Sequence, residues 1–239
     1  MSAFCHASRL ARQLGRLVTP LLMLMAAELR LSERAFAAET GFPGLEIYTH
    51  EDQDNIARDF AGLRLTGQIT HGLAEALEAA LFQEGSPRYA RTMLELDSEG
   101  GDLAATEEAV ALLLKLRGVS ALSTRVMDRG ICASGCIALY MTGTVRKAST
   151  ASMWVFHGAC PANSNVPSVT ATARYLGLLE DLGVKPAFIC NLTQEGYVTS
   201  PGALILSGYE LFHNHDSGII TELLPNWRPE TPQGAIVPR

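Results

Sequence analysis

The sequence lacks several features, and each absence excludes a class of protein. It has no uninterrupted run of about 18 apolar residues, so it predicts no membrane-spanning helix. Basic residues are not in excess: 19 Lys and Arg stand against 25 Asp and Glu, and the net charge of -6 argues against a nucleic-acid-binding surface. The 239 residues are 47% hydrophobic and 18% charged, which is typical of one folded, acidic domain with a sizeable core.

The first forty residues differ from the rest of the chain. Arginines precede a short apolar stretch, Leu17–Ala27, which cannot cross a bilayer but suits the core of a signal peptide. Small residues in A-x-A spacing follow at Ala35–Ala38. We therefore expect cleavage after Ala37 or Ala38 and export to the periplasm or the medium. The alternative is an uncleaved N-terminal segment that anchors the chain to the membrane.

Cysteine usage fits export but does not require it. Cys5 lies in the predicted signal peptide, and Cys132, Cys136, Cys160 and Cys190 remain afterwards. Four cysteines in an oxidising compartment have three possible connectivities, and four buried thiols are an equal alternative. The C-x3-C spacing does not match the usual zinc motifs, so we predict no metal and no other cofactor.

Apolar periodicity alternates between strand and helix along the body of the chain. The predicted strands cover 63–69, 92–96, 119–126 and 152–156, and the predicted helices cover 72–83, 103–116, 134–141, 168–182 and a last short one that begins with the capping box at Ser207. Repeated strand–helix units separated by turns predict an α/β fold with largely parallel strands.

These patterns divide the chain into four parts. Residues 1–38 are the predicted signal peptide or anchor, and 39–60 are an irregular lead-in. Residues 61–224 form the α/β domain, and 225–239 form a Pro-rich C-terminal tail.

The first of three segments that suggest chemistry is Ile131–Cys136. Ser134 stands where a strand ends and an apolar helix begins, so free backbone N–H groups lie nearby to stabilise a developing oxyanion. Gly135 leaves room for a substrate carbonyl to approach its N–H. Taken alone, a serine at this position is more often an ordinary N-cap.

The other two segments also follow predicted strands. Asp97–Asp102 contains Gly100 and Gly101, whose backbone can approach a ligand closely, although such a segment is most often a plain turn. His157 ends an apolar strand, from which an imidazole can take the proton of a serine. A lone histidine there is more often a packing residue.

Together the three segments resemble the Clp-type serine peptidases, within the wider Clp/crotonase fold of repeated ββα units. Asp97–Gly101 is similar to the family's Asn-Ser-Pro-Gly-Gly segment, Ala133-Ser134 to its nucleophile motif, and His157 to its histidine at a strand end. Cys-x-Ser-x-Cys and Phe-His segments further resemble the exported bacterial Clp-like branch. The resemblance covers Leu63 to Gly158, with a weaker match at Ser217–Ile220.

The resemblance implies hydrolysis of a peptide or protein substrate by acyl transfer. Ser134 would attack the carbonyl, and His157 would serve as general base and then as general acid. The N–H groups of Gly101 and Gly135 would form the oxyanion hole. The fold commonly assembles into oligomers, whereas an exported chain would not meet an ATP-driven unfoldase.

Two departures from the family pattern bear on activity. Glu99 replaces the family's proline, and Pro201–Leu204, where the third triad residue is expected, holds no carboxylate. The third member is therefore left unassigned. Residues that could serve but that nothing selects are Asn191, Glu195, Glu180, Asp181 and Asp216.

Other functions stay open at this point. A catalytically degenerate Clp-like binding module would keep the glycine segment and lose activity. A crotonase-like acyl-thioester enzyme would share the fold without a Ser–His pair, and an α/β-hydrolase would require G-x-S-x-G where this chain has Cys132–Cys136. A metal site at His213–Asp216 is a weaker alternative to an ordinary polar loop.

Overall fold

The computed structural model describes residues 38–39, 42–48, 60–161 and 164–224. The chain divides into two units, 1–38 and 39–239, and the account below concerns the second. Residues 1–37 of the predicted signal peptide and the C-terminal tail 225–239 lie outside the described residues, so both stay predictions. In the described part, no helix is long and apolar enough to cross a membrane.

The described part contains twelve strands and six helices. The strands are β1 (Ala38–Glu39), β2 (Leu45–Tyr48), β3 (Phe60–Ile69), β4 (Phe82–Gln83), β5 (Ser86–Pro87), β6 (Arg91–Gly101), β7 (Ala121–Val126), β8 (Ile131–Ala133), β9 (Val145–Ser149), β10 (Met153–Phe156), β11 (Leu204–Ser207) and β12 (Glu222–Leu224). The helices are α1 (Leu73–Leu81), α2 (Leu103–Arg117), α3 (Gly135–Met141), α4 (Val169–Asp181), α5 (Pro186–Gln194) and α6 (Gly208–His213).

The sheet is largely parallel and has two parts. Strands β3, β6, β7, β9 and β12 pair in that order, all parallel, and β2 adds an antiparallel edge. The end of β6 also pairs with β8, which pairs with β10 in parallel, and β11 closes this part antiparallel. In β7–β8–α3 and in β9–β10–α4, the first strand belongs to one part and the second strand to the other. These are repeated ββα units, so the fold-class prediction is confirmed.

The segment Asp97–Gly101 is strand and not the predicted turn. It continues β6, with Ser98 opposite Cys132 on one side and Gly101 opposite Ile69 on the other. The register between β3 and β6 shifts at a bulge between Thr66 and Gln68, and the two strands continue to pair after it. Gly100 and Gly101, which local sequence indicates as a turn, instead continue the pairing of β6 with β3, opposite Gln68 and Ile69.

Several elements escaped the sequence patterns. Leu45–Tyr48 pairs with β3 within the predicted irregular lead-in, because the buried Leu45 anchors it. Strand β9 was missed because its residues carry no clear alternation, and α5 because Pro186 at its first turn reads equally well as a break.

Helix α3 is the centre of the core. All seven of its residues are buried, among them Tyr140, whose ring packs edge-on against Trp154. A helix that is apolar all round is enclosed on every side. Ser134, which directly precedes α3, is therefore attached to a helix that is packed on every side.

One face of the sheet carries a cluster of charged side chains. Arg64, Glu95 and Arg125 lie side by side on β3, β6 and β7, and the Glu95 carboxylate accepts from Arg64 Nε at 2.7 Å and Arg125 Nε at 2.9 Å. The Glu95 side chain is almost fully covered, and burial raises the pKa of the neighbouring Tyr48. Along β6, Glu95 points to the face opposite that of the fully buried Leu94 and Leu96.

Candidate active site

The chain brings all three predicted segments to one cavity of about 730 Å³. Its lining includes Gly100 and Gly101 from the end of β6, Ser134 and Gly135 from the start of α3, and His157 beyond β10. Parallel strands deliver their carboxyl ends to the same edge of a sheet, which is why segments far apart in sequence meet here. The crevice is where open α/β sheets commonly bind ligands.

Ser134 has an unusual backbone. Its φ of 51° and ψ of -124° lie outside the regions that a side chain normally allows, and its side chain does not cap α3. Within the described residues its hydroxyl makes no hydrogen bond to any other group. The ordinary N-cap interpretation is therefore wrong, and the half-buried hydroxyl is left at the cavity wall.

A disulfide encloses this turn. Cys132 and Cys136 are bonded, both are fully buried, and Ser134 stands midway between them. Cys160 and Cys190 are exposed free thiols. Neither alternative from the sequence holds completely, because one pair forms and the other two cysteines are neither paired nor buried.

Gly100 packs directly against the serine turn. A Cβ on Gly100 would lie 2.6 Å from the Ala133 carbonyl oxygen and 2.8 Å from the Ser134 Cβ, and its φ is +87°. The buried Ser98 hydroxyl fixes this stretch by donating to the Gly67 carbonyl at 2.5 Å and accepting from Gly100 N–H at 3.1 Å. Only glycine allows the end of β6 to approach the Ser134 turn this closely.

Ser134 and His157 line the same cavity because each directly follows one of two paired strands, β8 and β10, although the Ser134 hydroxyl and the imidazole form no hydrogen bond. The N–H of Ser134 donates to the carbonyl of Val155 at 3.1 Å, two residues before the histidine. On its other side, His157 Nδ1 lies 2.8 Å from the carbonyl oxygen of Gly158. A carbonyl only accepts, so Nδ1 carries the proton in this contact and Nε2 of the neutral ring keeps its lone pair.

Within the described residues, no carboxylate hydrogen-bonds His157. Asp216 pairs with Lys185 instead, and Glu195, Glu180 and Asp181 are absent from the cavity lining. Asn191 is also absent from the lining. None of the candidates for a third triad member is brought to the imidazole, and the Gly158 carbonyl occupies the position of its partner.

The cavity is acidic at its rim. Glu99 and Asp102 contribute carboxylates, and no Lys or Arg belongs to the lining formed by the described residues. Asp102 also caps α2 by accepting from Ala105 N–H at 2.8 Å.

The segment His213–Asp216 forms packing contacts. The His213 ring lies against Tyr209, and the His215 ring against Phe188. In the part of the chain that is described, no group of three metal-ligating side chains occurs.

Sequence reasoning missed two polar residues of this site. Thr172 and Tyr175 of α4 bond the backbone beside His157 and Ser134, and Tyr175 lines the cavity. Both side chains are polar but buried. The only signal in the sequence is their spacing of three residues, which places them on the same face of a helix.

No known protein-family model matches the chain, and no curated protein does. Among solved structures, a mutant ClpP1 from Listeria monocytogenes is similar at 16% identity and a TM-score of 0.48, over 69% of this chain and 91% of that chain.

Proposed function

We propose that this protein is a serine hydrolase that cleaves peptide bonds by acyl transfer, with Ser134 as nucleophile and His157 as general base. The observation that carries the proposal is the convergence on one cavity of an uncapped, strained Ser134, the histidine that directly follows the paired strand β10, and the Gly100–Gly101 end of β6. The resemblance of the same segments to the Clp-type peptidases favours a peptide over another acyl substrate.

The reaction follows from these groups. Ser134 Oγ attacks the substrate carbonyl carbon while its proton passes to His157 Nε2, and the protonated ring then gives the proton to the leaving amine. Water hydrolyses the acyl-enzyme with the same base. The N–H groups of Gly101 and Gly135 stabilise the oxyanion, and losing one such donor typically lowers turnover by ~10²–10³.

The Gly158 carbonyl performs part of the task of a triad carboxylate. It selects the tautomer in which Nε2 accepts a proton, but it carries no full charge to stabilise the imidazolium. We therefore expect a dyad with turnover well below that of a complete triad, since losing only the carboxylate function costs ~10⁴ in the serine-protease template.

The remaining parts of the proposal rest on sequence. The basic and apolar N-terminal pattern supports an exported, periplasmic or secreted protein, with a membrane-anchored form as the alternative. An exported enzyme works without an ATP-driven unfoldase, its partner being a peptide or protein substrate, and the fold makes a homo-oligomer reasonable.

A binding module without activity is the second candidate function. It is favoured by the absence of a carboxylate at His157 within the described residues and by the unbonded Ser134 hydroxyl. Such a protein would hold a peptide in the cavity without forming an acyl-enzyme.

Labelling with a fluorophosphonate probe separates the two candidates. The activated Ser134 oxygen displaces fluoride from phosphorus, so the purified protein should become covalently labelled at Ser134. We expect Ser134→Ala to abolish labelling and His157→Ala to slow it by at least ~10³-fold.

Matched controls are available. Ser164 is an exposed loop serine and His213 packs against Tyr209, away from the cavity, so Ser164→Ala and His213→Ala should label like the parent. Folded parent protein that takes up no probe would contradict the enzyme and support the binding module.

A further inference from the structure

Helix α4 carries two buried polar side chains that each bond the main chain of a segment of the site. Thr172 is 4% exposed and Tyr175 is 2% exposed. Three residues apart in a helix, they lie on one face. Each makes one hydrogen bond to main chain of a different segment of the site.

Tyr175 holds the peptide that follows the nucleophile. Its hydroxyl donates to the Ser134 carbonyl at 2.7 Å, and burial raises the pKa of that hydroxyl, so it remains a donor. The Ser134 carbonyl and the Gly135 N–H belong to one planar trans peptide and point in opposite directions. Fixing the carbonyl therefore aims the Gly135 N–H, the proposed oxyanion donor.

Thr172 holds the peptide that follows the histidine. Its Oγ1 accepts from the Ala159 N–H at 3.0 Å, and Ser168 N–H at the start of α4 bonds the Ala159 carbonyl at 2.8 Å. The Ala159 N–H and the Gly158 carbonyl share one peptide plane. Fixing this N–H therefore aims the Gly158 carbonyl at His157 Nδ1.

We propose that Thr172 and Tyr175 are positioning residues that set the oxyanion donor and the histidine tautomer from one helix. Each side chain hydrogen-bonds one polar group of a peptide unit, and the other polar group of the same unit is used in the reaction. The inference rests on the proposed hydrolase function and adds how the site is kept aligned without a third side chain on His157.

Removing single hydroxyls tests this directly. Tyr175→Phe and Thr172→Val should each slow fluorophosphonate labelling roughly 10- to 100-fold, because misplacement of about 1 Å costs up to ~10². Thr172→Ser keeps the hydroxyl and should label within about threefold of the parent, since the same bond can form.

The chain supplies matched controls. The hydroxyls of Tyr140 and Thr92 are buried and have no hydrogen-bond partner in the described structure. Tyr140→Phe and Thr92→Val remove the same atoms from the same kinds of environment, so they should label at the parental rate. Melting temperatures measured alongside show that every variant is folded at the assay temperature.

Two readouts separate positioning from general loosening. Amide exchange at Ala159, whose N–H donates to Thr172 Oγ1, should accelerate in Thr172→Val and not in Thr92→Val. Independently of activity, amide exchange at Gly135 should accelerate in Tyr175→Phe and not in Tyr140→Phe.

The outcomes distinguish the two proposals. If the parent labels at Ser134 but Tyr175→Phe and Thr172→Val behave like their controls, the positioning role is wrong and the hydrolase stands. If the folded parent takes up no probe, the hydrolase is wrong and this inference falls with it.

Discussion

The cavity has a serine wall, the turn Cys132–Cys136, and a histidine wall, the segment His157–Ala159. These two walls are held in different ways. The serine turn is enclosed by the Cys132–Cys136 disulfide and further fixed by bonds to Tyr175 and Val155. The histidine segment has no covalent constraint and depends on hydrogen bonds to main chain and to α4. The difference matches the backbone: a non-glycine residue at φ 51° persists only where its surroundings over-determine it.

A second contrast concerns what each wall needs. The nucleophile must sit in a strained turn that exposes its oxygen, so the constraint acts on backbone shape. His157 ends an ordinary strand, and only the orientation of its ring has to be set. A single carbonyl at 2.8 Å suffices for orientation but supplies less electrostatic stabilisation than a carboxylate.

The histidine wall should be the easier one to break. In Gly158→Ala, the new Cβ would lie 2.2 Å from the Val198 carbonyl oxygen and 2.6 Å from Pro167 Cβ, so the backbone must move and take its carbonyl from His157. We expect labelling of Ser134 to fall at least ~100-fold. Gly177→Ala on α4, where a Cβ meets nothing within 4 Å, should leave the rate unchanged. Equal rates in the two variants would show that the carbonyl does not matter.

The serine wall should lose stability before it loses rate. Replacing both bonded cysteines, as Cys132→Ala with Cys136→Ala, should lower the free energy of unfolding by about 2 kcal/mol for so short a loop. Labelling should fall less than about tenfold, since the bonds to Tyr175 and Val155 remain. Cys190→Ala, which removes an exposed free thiol, is the control in both assays. A loss of labelling as large as that of Gly158→Ala would contradict the ranking of the two walls.

Stability loss alone should not reduce labelling. Glu95→Gln weakens the bonds from Arg64 and Arg125, and since both arginines are partly exposed we expect a loss of about 1–3 kcal/mol in unfolding free energy. At temperatures where the variant is folded, its labelling rate should equal that of the parent. A reduced rate would mean that the losses in the other variants reflect loosening of the whole domain.

Local sequence predicted what depends on close neighbours in the chain. Ser207 with Glu210 forms the predicted capping box. Asp102 and Ser168 cap α2 and α4 where the sequence predicted those helices to begin. The convergence of Ser134 and His157 also followed, because residues at the carboxyl ends of parallel strands share one edge of a sheet.

Contacts between distant residues were beyond the sequence. The choice of Cys136 as partner of Cys132, the extension of β6 through Gly101, and the bonds from Thr172 and Tyr175 all depend on which segments become neighbours in space. Capping and helical periodicity act over about four residues and can be read along the chain. Peptide planes are fixed by groups far along the chain, so their alignment was decided only by the tertiary structure.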